Sequence, residues 1–148
     1  MEVLKSSRHS KITGDFAEAL VLYWLSKYGF ECARVDHTGI DLIARNPHNQ
    51  ELLGISVKSR SRNTGKEFTS VLIPRDDVEK AEIACKAFGC IPYFAIVVDA
   101  GNKITAFILS MENLLRITKG KKTYNWKMTP KHIEEYYNDP NMLCCNHG

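Results

Sequence analysis

The chain has 148 residues, 44% of them hydrophobic and 25% charged, which is the size and balance of a single globular domain with a real core. That excludes a disordered tail, a fibre and a disulfide-stapled miniprotein. Twenty Lys and Arg against 17 Asp and Glu give a net charge of +3, which permits nucleic-acid binding without demanding it.

The N-terminal stretch MEVLKSSRHSK is polar and basic, with no apolar signal-peptide core, and reads as a loose arm over residues 1–11. Residues 12–28 predict a helix closed by Gly29, with Phe16, Leu20, Trp24 and Tyr28 as its apolar stripe and Val21 and Leu25 widening it. Strands follow at Phe30–Val35 and Ile40–Ala44 around the turn DHTG, at Leu52–Lys58, and with a weaker signal at Glu67–Ile73. Ser59–Lys66 is polar and basic and reads as a loop. A second helix opens at Asp76 as N-cap, with Glu79 completing a capping box, and ends at Gly89. Its core stripe is Val78, Ala81, Ala84, Cys85 and Phe88. Pro92–Val98 and Lys103–Leu109 are strands joined by the turn DAGN. Ser110 caps a short helix to Arg116, Thr118–Asn125 reads as irregular, and Thr129-Pro130 opens a last helix to about Tyr137.

The longest clean apolar runs, such as Tyr93 to Val98, fall far below the ~18 residues of a membrane-spanning helix. Five cysteines without CxxC spacing signal neither a disulfide framework nor a zinc finger. Reduced thiols in a cytoplasmic protein are the expectation. Cys144, Cys145 and His147 read as an ordinary tail, the five histidines show no HxxxH or HExxH spacing, and Trp24 and Trp126 read as core.

Four features stand in order on this layout. Gly14-Asp15-Phe16-Ala17-Glu18 puts a carboxylate in the first helix. Gly39-Ile40-Asp41 puts one at the start of a strand. Ser56-Val57-Lys58 puts a hydroxyl and an amine on one face of the next strand, because side chains alternate. Arg60, Arg62 and Lys66 follow. Phosphodiester hydrolysis calls for a divalent metal, an activated water and a cation near the developing charge. Asp41 suits a hard Mg²⁺ ion as carboxylate ligand, with the Val57 carbonyl as a neutral one. Lys58 then lies beside the metal, and Arg60, Arg62 and Lys66 meet the flanking phosphates.

This order resembles the PD-(D/E)xK nuclease superfamily, and within it the archaeal Holliday junction resolvase-like branch, over about residues 10–115. There a GxxxE helix precedes a (P)D strand and an ExK strand. RDDVEKAEIACKAFGCIPYFAIVV resembles the helix and strand that come next in those resolvases. The resemblance implies a restriction-endonuclease-like α/β fold in αβββαβ order, a mixed sheet flanked by helices. It implies a nuclease-like domain over residues 1–117 and leaves 118–148 as a C-terminal extension, packed on that domain or partly flexible. It also implies Mg²⁺-dependent cleavage of DNA, with Mn²⁺ as a substitute and a homodimer as the working form. Catalytic roles fall to Glu18, Asp41, Ser56 and Lys58. Ile40 stands where the motif has Pro, which carries no ligand. Ser56 stands where it has Glu, which removes an anionic ligand and lowers metal affinity. Some restriction enzymes with SxK supply that Glu from the following helix. Here the helix offers Glu79, already engaged as capping partner, and Glu82, which is the expected third ligand.

Each residue also has a plain reading. Asp41 suits a turn, Lys58 a solvated strand face, Glu18 an exposed helix face and Ser59–Lys66 a solvated loop. A nuclease-fold module that binds nucleic acid or protein without cutting is therefore the second reading, and a structural or interaction protein the third.

Overall fold

The computed structural model describes residues 4–147. Its elements run α1 (His9–Lys27), β1 (Glu31–Arg34), β2 (Leu42–Arg45), β3 (Leu52–Arg62), β4 (Val71–Pro74), α2 (Arg75–Phe88), β5 (Ile91–Ala100), β6 (Lys103–Ser110), α3 (Met111–Thr118), β7 (Thr123–Trp126), α4 (Pro130–Tyr137) and β8 (Leu143–His147). Six strands form one mixed sheet in the order β1-β2-β3-β5-β6-β8. Only β3 and β5 pair in parallel, with α2 in the crossover between them. β4 and β7 form a separate antiparallel pair.

Both faces of the central strands are buried. On β5, Phe94, Ile96 and Val98 face a cluster that contains Trp126 and Tyr136, while Ala95 and Val97 face the α1 side. β3 alternates likewise, with Leu53, Ile55 and Val57 packed on the α1 side. Its other face carries Gly54, Ser56, Lys58, Arg60 and Arg62 in turn.

Several expectations are corrected. α1 starts at His9, three residues earlier than expected, because Ser6 accepts the His9 N–H and Arg8 the Ile12 N–H. Its buried residues are Ala17, Val21 and Leu25, whereas Phe16 and Tyr28 are 45% and 47% exposed. A helix lying on a sheet brings its small side chains closest, and the aromatics splay to the rim. There Trp24 stacks on Tyr28. β3 runs four residues beyond Lys58, since its parallel register with β5 continues to Arg62↔Ala100. β4 begins at Val71, not Glu67. α2 has Pro74 at its N-cap, so Asp76 and Asp77 lie in the first turn and Glu79 pairs with Arg75 in place of a capping box. The stretch read as irregular holds β7, which pairs Thr123–Trp126 with β4 and buries Trp126. β8 extends the main sheet beside β6. The short helices begin as expected, with Ser110 accepting the Asn113 N–H and Pro130 in the first turn.

The contact of α2 with the sheet is exceptionally close. A Cβ on Gly54 would lie 2.6 Å from Cys85 Sγ. Gly39, in the left-handed region at φ 109°, has the Lys80 carbonyl where a Cβ would stand, at 2.4 Å. Gly39→Ala should therefore lower the unfolding free energy by about 1–3 kcal/mol from overpacking, with backbone strain added. Gly14 lies within α1 with no heavy atom within 4 Å of its notional Cβ, so Gly14→Ala should raise stability by about 0.5–1 kcal/mol. Urea unfolding of the two variants checks both signs.

Candidate active site

Beyond the end of the β2–β3 ladder, which closes at Leu42↔Ile55, β3 has no strand partner on that side. Asp41 fills the first step. Its N–H donates to the Ile55 carbonyl at 2.8 Å, and its Oδ2 accepts the Val57 N–H at 2.7 Å. Alternate residues of a strand turn their backbone groups to the same neighbour, so the Val57 carbonyl faces this edge too. The turn that delivers Asp41 is pinned by Ser56, whose buried hydroxyl donates to the Gly39 carbonyl. Gly39 in turn presses on the α2 backbone at Lys80.

Asp41, Ser56 and Lys58 line one polar cleft of about 220 Å³, together with Thr38, Gly39, Asp77 and Lys80. The three residues are thus brought together across 17 positions of sequence. Lys58 Nζ donates to Asp77 Oδ2 at 2.9 Å, a pair that is 23% and 31% exposed. Lys80 is engaged on its own helix by Asp76 at 2.9 Å.

Glu18 lies on α1, half-buried, and does not line this cleft. Burial pushes its carboxyl above the usual range, and the Asp41 charge adds to this, partly offset by Arg34. The two arginines turn to the backbone that leads into β4. Arg60 donates to the Ser59 carbonyl at 2.7 Å and to the Leu72 carbonyl at 3.4 Å. Arg62 donates to Ser70 at 2.9 Å, and burial, then Arg60, lowers its pKa. Both guanidinium groups therefore tie β3 to the β4 region. Lys66 is exposed on the loop beyond.

Glu82 is not in the cleft. It pairs with Lys86 at 3.5 Å and borders a different hollow, with Cys85, Cys90 and Met111. The carboxylate that α2 extends into the cleft is Asp77, which the sequence reading passed over. A signal for it exists. On a helical projection Asp77 falls between Ala81 and Ala84, inside the core stripe, while Glu82 lies about 40° outside Val78. Distance agrees: the eight residues from Asp77 to Cys85 rise about 12 Å on the helix, and Gly54 to Lys58 spans about 13 Å of strand. With Cys85 seated on Gly54, Asp77 arrives over Lys58.

Among the described residues no three His, Cys, Asp or Glu side chains are grouped so as to hold a metal by themselves, and no helix is long and apolar enough to cross a membrane. No protein-family model matches the sequence, and no curated protein matches it. Among solved structures, the chain is similar to Hjc, a Holliday junction resolvase from the archaeal hyperthermophile Archaeoglobus fulgidus, at a TM-score of 0.54 and 21% identity. The match covers 79% of this chain and 91% of that one. What is shared at this identity is the fold. The chain has the restriction-endonuclease-like fold of an archaeal Holliday junction resolvase, the branch of nucleases that its motifs resemble.

Proposed function

We propose that the protein is a divalent-metal-dependent deoxyribonuclease acting on branched DNA as a homodimer. One observation carries this reading: Asp41 and Lys58 line one cleft of a resolvase fold, with the Asp41 carboxylate seated on the Val57 N–H. A four-way junction offers two symmetry-related strands, and a two-fold dimer offers one cleft to each.

The residues present fit a hard cation. The donors at the edge of β3, the Asp41 carboxylate and the Val57 carbonyl, are oxygen, and Asp41 is already fixed there by the Val57 N–H. Asp41, the Val57 carbonyl and Glu18 would hold Mg²⁺, or Mn²⁺ in its place. When bound, the ion supplies an activated water and Lewis-acid stabilisation of the phosphoryl charge. Asp41 is preset for this by its two backbone hydrogen bonds, so little reorientation is needed. Lys58 presents a cation where charge develops on the phosphate, and Lys66 lies further out for the DNA backbone. Ser56 contributes by position. Its hydroxyl fixes the Gly39 turn and so the approach of Asp41.

A second reading is a module that binds nucleic acid or a protein partner without cutting. It is favoured by Ser56, whose hydroxyl is committed to Gly39 and supplies no charge where the motif has Glu. Cleavage of four-way junction, flap and duplex DNA with Mg²⁺ and Mn²⁺, beside binding titrations at several salt concentrations, separates the two. The nuclease reading expects Lys58→Ala to bind junctions yet lose about a hundred- to a thousandfold in rate, roughly 2.7–4 kcal/mol. A binding module would show no cleavage by the wild type with either metal. It would lose only about one unit of salt slope on the same substitution.

The carboxylate strain predicts a stability effect of defined sign. A carboxyl whose folded-state pKa is raised stabilises the fold when protonated, and that contribution is lost as pH rises through the folded value. In chelator, Glu18→Gln should therefore be more stable than wild type at neutral pH. The gap should close as pH falls below the carboxylate range. Added Mn²⁺ should stabilise wild type more than the variant. Thermal unfolding across pH, with and without Mn²⁺, reads all three.

A further inference from the structure

α2 carries four acidic residues, and three of them pair along their own helix: Asp76 with Lys80, Glu79 with Arg75, and Glu82 with Lys86. Asp77 alone reaches off the helix, to Lys58 on β3. This neutralises the cation the nuclease reading needs for the phosphate. Yet Asp77 lines the same small cleft as Asp41, a hollow of about 220 Å³. A part-exposed ion pair such as Lys58–Asp77 resists separation by no more than about fivefold. A divalent ion offers twice the charge to the same carboxylate. The helix need not move for the exchange, because rotation about the first side-chain torsion of Asp77 redirects the carboxylate.

We propose that Asp77 is a latch on Lys58, an inference that rests on the nuclease reading. Without a divalent cation it holds the ammonium. With the cation beside Asp41 it turns its carboxylate to that cation and releases Lys58 towards the phosphate. Asp77 thereby supplies the negative charge that Ser56 lacks, and couples metal binding to the freeing of the lysine.

Calorimetric titration of the DNA-free protein with Mn²⁺ tests this without reference to cleavage. The variants are Asp41→Asn, Asp77→Asn, Lys58→Gln and the Asp77→Asn/Lys58→Gln double, each checked for folding by circular dichroism. Asp77→Asn should weaken Mn²⁺ binding roughly tenfold or more. Lys58→Gln should tighten it by about fivefold, since the carboxylate no longer has to leave a partner. In the Asp77→Asn background Lys58→Gln should change the affinity much less, because the latch is already gone. Unchanged affinity in Asp77→Asn, or an equal effect of Lys58→Gln in both backgrounds, overturns the latch. If that happens while Asp41→Asn abolishes binding, the metal site stands and the latch alone is wrong. If wild type binds no Mn²⁺, or Asp41→Asn binds as wild type does, the nuclease reading falls and the latch with it.

Discussion

The seating of α2 on the sheet is the constraint from which the cleft follows. Two glycines permit it: Gly54, under Cys85, and Gly39, against the Lys80 carbonyl. A side chain at either would lift the helix or displace the turn. Lifting the helix would remove Asp77 from Lys58. Displacing the turn would move Asp41 from the open edge of β3. The same contact that packs the core on one side thus fixes the separation of the charged groups at its end. Close packing leaves little slack for either group to drift, since interiors are filled at the density of organic crystals.

Alternation along β3 made much of this legible in the sequence. Apolar Leu53, Ile55 and Val57 set one face, so Ser56 and Lys58 had to share the other, and the turn before Asp41 had to end beside them. Four things were not legible, each for a physical reason. The stripe on α1 was weighted to aromatic residues, but close approach to a sheet selects Ala17, Val21 and Leu25 by size. The extent of β3 beyond Lys58 depends on β5, and a polar sequence such as Ser59–Arg62 gives no hint of a partner forty residues away. The strand β7 depends similarly on β4. Asp77 was missed for another reason. A first-turn aspartate reads as helix capping, and its place inside the apolar stripe has meaning only once the stripe is known to end over a polar cleft.

Charge is distributed unevenly over the molecule. The remaining acids of α2 are matched along their own helix, and such exposed pairs contribute little, about 0.2–1 kcal/mol each. Arg60 and Arg62 are matched by backbone carbonyls. At the edge of β3 Asp41 is matched only by a backbone N–H, and among the described residues neither it nor Glu18 forms an ion pair. Burial raises the Glu18 pKa and the Asp41 charge raises it further, and the Val57 carbonyl lies past Leu42, the first residue of β2. A fold selected for stability alone has an easy remedy, replacing either carboxylate with its amide.

That remedy distinguishes the readings physically. In a binding module for DNA, a carboxylate at the cleft repels phosphates, so Asp41 would weaken the interaction. In a wet structural face it would weaken the fold for no return. Under the proposed nuclease reading a cation at the edge of β3 would make the Asp41 carboxylate and the Val57 carbonyl favourable neighbours. Lys58 fits the same logic. A lysine beside a cation site is repelled by the bound ion, which is the condition the proposed latch answers. The side chain that α2 delivers there, through the two glycine contacts, is Asp77.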